Sequence, residues 1–144
     1  MPTTDTTHPQ TPQLLIERKA RDFDSSQHIE IGNLPYGADV IHNAPPYAFG
    51  PNMVAYKIIF DAAASYDLWI EYAAKVSRSC EIRWNNSLLE DASMRAVTGG
   101  WEESFQKWHK IGTVTGGQGI HELQIDRAEP FPHIRAIKLQ LKER

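Results

Sequence analysis

"YDLWIEY", residues 66–72, places Tyr66, Leu68, Ile70 and Tyr72 on one side of an extended chain and Asp67, Trp69 and Glu71 on the other. A period of two is the mark of a strand with one buried face. The pattern recurs further along. "CEIRW" (80–84) sets Cys80, Ile82 and Trp84 against Glu81 and Arg83, and "HELQID" (121–126) sets Leu123 and Ile125 against Glu122, Gln124 and Asp126. "HIRAIKLQL" (133–141) changes phase once among Ile134, Ile137, Leu139 and Leu141; a bulge near Ala136 reconciles the two halves. The intervening stretches carry turn chemistry: "NAPPYAFGPN", "WNNS" as a hairpin tip, "AEPFP", and "TGGQG", read as a hairpin turn. "LLEDASMRAV" (88–97) is the best helix candidate, and it is short. Short strands with turn signals roughly 8–12 residues apart predict an all-β sandwich.

Composition sets the outer limits. The 144 residues make one domain large enough to bury a single core, with 41% hydrophobic and 23% charged residues. A net charge of −3 gives no support for a general nucleic-acid or membrane-surface role, and neither partner is expected. One cysteine, Cys80, allows no intrachain disulfide and no cysteine-based zinc site. The opening "MPTTDTTHPQTPQ" has neither the basic nor the apolar region of a signal peptide. Residues 1–13 are expected to form a flexible arm before a domain spanning 14–144, with a cytoplasmic location as the default. No apolar stretch approaches the length of a membrane span.

Catalytic signatures are sparse. His8, His28, His42, His109, His121 and His133 form no HxH, HxxxH or HExxH spacing, so no metal site is expected. Ser104 is not framed by a GxSxG elbow. Glu90–Asp91 and Glu102–Glu103 are adjacent acids, which on a strand point to opposite faces and read as solvated charge. "VTGGQGI" is not GxGxxG, and no crossover helix follows it. The expectation is a non-enzyme without a cofactor.

The aromatics say more. Trp84 shares a face with Cys80 and Ile82 and reads as core; Trp108 opens "WHKIGTV" and reads as core or edge packing. Trp69 lies on the face shared with acids, where it either covers the outside of a sheet or lines a shallow groove. Trp101 follows Gly99 and Gly100 and precedes Glu102, Glu103 and Ser104, a polar loop setting. An indole there either plugs the end of the sandwich or presents its face to a ligand. Sugars carry one face of C–H bonds on which aromatic rings stack while polar neighbours bond the hydroxyls. Tyr36 in "LPYG" and Tyr47 in "PPYAFG" are further loop aromatics, the latter stiffened by prolines.

In order, "ASYDLWIEYAA", "CEIRWNN", "TGGWEESFQKWHKIGTV", "GIHELQIDR" and "PFPHIRAIKL" resemble the galactose-binding-like β-sandwiches of carbohydrate-binding modules, families 6 and 35 foremost. The resemblance covers roughly residues 56–141. It implies a jelly roll, usually non-catalytic, that binds sugar with loops at one end. By position it carries the stacking role to Trp101, with Tyr47 as first partner and Tyr36 second, and the polar contacts to His133 or Arg135, with Asn52 a further candidate. The family's structural calcium uses acids where this chain has Arg21 in "ARDFD" and Arg135 in "PHIR". Calcium needs several hard oxygen ligands, so the site is expected to be lost unless Asp22, Asp24 or Asp126 rebuilds it. The two arginines could instead form an anion site for an acidic sugar such as a uronate, or simply pair with local acids.

The leading expectation is therefore a carbohydrate-binding module for an oligosaccharide or polysaccharide. The alternative is a protein-interaction or self-assembly domain that kept the sandwich and lost the sugar. Trp69 and Tyr72, or the "APPYAFGP" loop, would then mark its surface.

Overall fold

The computed structural model describes residues 11–33, 36–43, 52–90, 92 and 94–142. Alternating patterns become strands: β1 Leu15–Lys19, β2 Ser25–Gln27, β3 Glu30–Asn33, β4 Gly37–His42, β5 Asn52–Phe60, β6 Ala64–Ala73, β7 Glu81–Trp84, β8 Ser87–Leu88, β9 Lys107–Gly116, β10 Gly119–Arg127 and β11 His133–Leu141. They form two antiparallel sheets packed as a sandwich. One runs β3-β4-β11-β6-β9, with β1 also pairing β11; the other runs β2-β5-β10-β7-β8.

Between the sheets lies the core that the alternation marks out. Tyr66, Leu68, Ile70 and Tyr72 from β6 face Ile82, Leu123 and Ile125, all at most 1% exposed. Tyr72 is thus a core residue and not part of an interaction surface. Trp84 is buried and donates its indole N–H to the Thr115 carbonyl at 3.0 Å, so its one polar atom is satisfied.

Bulges keep the apolar residues in phase. In β11 the register slips between Ile134 and Ala136, so Ile134, Ile137 and Leu139 all point inward while Arg135 turns out. A second slip falls between the partners of Leu68 and Trp69, Gly112 and Lys110. It reconciles Ile111 and Val114, three positions apart and both buried.

The turns divide into two kinds. "WNNS" is a hairpin tip, as expected: Asn85 and Asn86 have φ of 51° and 69°, which suits a two-residue turn with left-handed centres. "TGGQG" is not a hairpin turn. β9 and β10 belong to different sheets, so it carries the chain across the sandwich. Gly116 packs against the His121 ring, where a Cβ would come within 2.4 Å.

No helix forms in the described part of 88–97. Leu88 pairs in β8, and Leu89, Ala92 and Met94 turn toward the core at spacings that do not share a helical face. The 3₁₀ turn Glu103–Phe105 is the one helical element among the described residues. Residues 1–10 lie outside them; Gln13, at the end of the expected arm, accepts from the Tyr66 hydroxyl and bonds Ile59 and Asp61.

Candidate functional site: an aromatic cleft at one end of the sandwich

β6 ends at Ala73 opposite the start of β11 at His133, and Tyr72 pairs with Lys107 at the start of β9. Segments 74–80, 98–106 and 128–132 therefore gather at one end. Thr98 ties the second to the first: its N–H donates to the Ala74 carbonyl at 2.8 Å, and its Oγ1 accepts from the Ala74 N–H at 3.0 Å.

The double glycine has a packing reason. Gly99 has φ of +98°, and a Cβ on Gly100 would lie 2.5 Å from the Phe105 ring. The chain thus turns tightly against Phe105 and delivers Trp101 to the rim, half-buried. The Trp101 N–H donates to Glu102 Oε1 at 3.1 Å.

His133 links the aromatics. Its ring centroid is 4.9 Å from that of Trp101 and 4.3 Å from that of Tyr36, edge to face with the tyrosine. Its Nδ1–H donates to the Trp101 carbonyl at 3.2 Å. Gln106 Nε2 donates to the His133 carbonyl at 2.9 Å. Burial pushes the His133 pKa down to about 4; the Trp101 carbonyl opposes this, and the nearby charges of His42 and Arg78 add to it. At neutral pH the imidazole is an uncharged wedge between two aromatic walls.

Two residues that sequence reasoning did not single out stand by Trp101, both in the segment after β6: Lys75 lines the cleft, and Arg78 packs on the indole. The Arg78 guanidinium stands 4.0 Å from the Trp101 ring centroid and donates to the Phe131 carbonyl at 2.8 Å. Lys75 is exposed and, with Tyr36, Trp101 and Glu102, walls a cleft of about 270 Å³ over Gly99, Gly100 and Phe105. No motif marks them, because only the crossing of β6 brings them to Trp101.

The remaining nominated residues fall elsewhere. Arg135 donates from Nε to Glu71 at 3.1 Å and from Nη1 to Glu103 at 3.4 Å, which fastens the 3₁₀ turn instead of facing the cleft. Asn52 is fully buried at the start of β5, bonds the Glu129 carbonyl, and borders a separate cleft with Cys80 and Arg127. Tyr47, with all of 44–51, lies outside the described residues.

The calcium site that the resemblance implies does not fit these side chains. Arg21 is engaged by Asp39 at 3.3 Å and Arg135 by Glu71 and Glu103. Asp24 is bonded by Lys57 and Arg18, and Asp126 by Arg83 and Gln124. Among the described residues no group of three or more His, Cys, Asp or Glu side chains is placed to hold a metal. Both arginines thus have carboxylate partners of the protein's own.

Fold and topology define a galactose-binding-like β-sandwich. Solved structures of carbohydrate-binding modules share it. A family 35 module from Clostridium thermocellum is 19% identical, with a TM-score of 0.69 over 87% of this chain and 96% of that one. A family 35 module from Paenibacillus barcinonensis is 17% identical, with a TM-score of 0.70 over 90% and 99%. A Podospora anserina β-(1,4)-mannanase with a family 35 module is 16% identical at a TM-score of 0.73; the match covers 90% of this chain but only 28% of the mannanase. No family model and no curated protein matches the sequence.

Proposed function

We propose that this chain is a non-catalytic carbohydrate-binding module that holds an oligosaccharide or a polysaccharide end in the rim cleft. The observation that carries the reading is the setting of Trp101: an indole buttressed by His133 that lines one cleft together with Tyr36, Lys75 and Glu102. The Trp101 face takes the C–H face of a sugar ring, while Lys75, Glu102 and the Tyr36 hydroxyl bond its hydroxyls. Among the described residues that line the cleft, Glu102 is the one carboxylate, so they hold no carboxylate couple. The buried His133 imidazole is held between aromatic rings with Nδ1 already donating, a positioning role more than an acid–base one. Support from the fold comes from the modules named above.

A glycan array followed by calorimetry tests this. Binding of one oligosaccharide class that Trp101→Ala abolishes is the expected result. Absence of binding to any glycan at millimolar concentration, or binding unchanged in Trp101→Ala, overturns it.

A further inference from the structure

Two walls of the rim cleft, Tyr36 and Trp101, come from distant parts of the chain. Tyr36 immediately precedes Gly37, the first residue of β4, and Trp101 lies just before the 3₁₀ turn Glu103–Phe105. Glu103 closes the distance between these two segments. A Cβ on Gly37 would lie 2.8 Å from Glu103 Oε2, so the carboxylate rests directly against the glycine. Only a residue without a side chain allows so close an approach.

The same oxygen is held from the other side by Arg135. In β11 the register slips between Ile134 and Ala136, and the bulge turns Arg135 outward. Its Nε donates to Glu71 Oε1 at 3.1 Å and its Nη1 to Glu103 Oε2 at 3.4 Å. The two carboxylates are unlike. Glu71 is only 8% exposed, so its charge is costly without a cation and fixes the guanidinium in place. The Glu103 side chain is 57% exposed and would gain little from a loose surface pair. It meets a guanidinium whose orientation is already set, so less side-chain entropy is lost on pairing.

Other contacts hold the far end of the turn. Gln106 donates to the His133 carbonyl at 2.9 Å, and the Phe105 ring packs against Gly99 and Gly100. Loss of the Glu103 link would therefore shift the turn relative to Gly37 without melting it.

We infer that Arg135 is a positioning residue of the rim. Through Glu103 it draws the 3₁₀ turn onto Gly37 and sets the width of the cleft between Trp101 and Tyr36. Its effect on sugar binding rests on the proposed function; the spacing of the two walls is a property of the free protein.

Nuclear magnetic resonance of the free full chain tests the spacing, and calorimetry with the oligosaccharide that the glycan array selects tests the binding. Glu103→Met keeps the length of the side chain and leaves Arg135 on Glu71. Arg135→Met combined with Glu71→Met removes the guanidinium without stranding a buried charge. Thermal melts verify that each variant is folded. In the wild type, nuclear Overhauser contacts should join Gly37 to Glu103. In both variants the Tyr36 ring and Trp101 indole resonances should move, and affinity should fall about threefold. Adding Glu103→Met to the Met pair should cost nothing more, because the two changes break one link. Unmoved Tyr36 and Trp101 resonances in Glu103→Met overturn the inference and leave Arg135 as the counter-ion of Glu71 alone. Fully additive losses overturn it, as does unchanged affinity for a glycan that the wild type binds. A wild type that binds no glycan sinks the proposed function, while the resonances of the free protein still decide the positioning.

Discussion

The guanidinium of Arg78 covers one face of the Trp101 indole, 4.0 Å from the ring centroid, and is itself fixed by the Phe131 carbonyl. The same indole also has the His133 ring 4.9 Å from its centroid, so two side chains of the protein brace it. The arrangement holds the indole in one orientation before anything binds, which reduces the ordering cost of association.

Arg78→Ala should weaken sugar binding without unfolding the domain. The loss expected is about 0.5–1 kcal/mol, the value of a cation–π contact at an accessible site, or a few-fold in Kd. Calorimetry measures it, and tryptophan fluorescence should report a more mobile indole. Unchanged affinity would mean that Arg78 merely rests on the ring.

Gly100→Ala should perturb the rim more than its size suggests, because the new methyl would meet Phe105 at 2.5 Å. Overpacking of this kind costs about 1–3 kcal/mol. Urea denaturation should show the loss of stability, with sugar binding lost alongside it as Trp101 is displaced. Truncating the obstacle as well, in a Gly100→Ala, Phe105→Ala double variant, should relieve part of the strain.

His133 predicts a direction for the response to acid. Its folded pKa, about 4, lies below the ordinary 6.5, so the unfolded chain binds the proton more readily. Stability is fully present above about pH 6.5, declines as pH falls through that window, and loses this dependence below about 4. Denaturation curves across the range should show the slope flattened in His133→Gln. An imidazole resonance titrating near 6.5 in the folded protein would refute the assignment.

Burial pushes the Cys80 thiol up to about 12. A thiol reagent should therefore leave the native protein almost untouched at neutral pH and label it fully in denaturant. Rapid labelling under native conditions would show that this end of the sandwich opens locally.

Asn86→Gly offers a stability gain. The residue sits at φ 69° in the β7–β8 hairpin, where glycine has no steric penalty, and about 0.5 kcal/mol is expected. Asn85→Ala should do the reverse, since the Asn85 side chain accepts from the Glu122 N–H at 2.9 Å and bonds His121. Thermal melts distinguish the two.

Much of this molecule is decided locally. Alternation over 66–72, 80–84 and 121–126 selects the faces that the sandwich buries, since a strand's side chains alternate whatever its partners. The phase change in 133–141 foretells its bulge, and "WNNS" its hairpin. "LLEDASMRAV" and "TGGQG" misled because their outcomes depend on neighbours: the first lies along the core edge, the second crosses between sheets. The same division governs the candidate site. "TGGW" is enough to put Trp101 in a glycine-permitted loop, because backbone freedom is a property of those residues. That Tyr36, His133, Lys75 and Arg78 meet it there, and that Arg135 and Asn52 do not, follows only from antiparallel strands bringing distant chain ends to one rim. The Glu71–Arg135–Glu103 link has the same origin, since its side chains lie on β6, on β11 and in the turn before β9, which only sheet pairing places side by side.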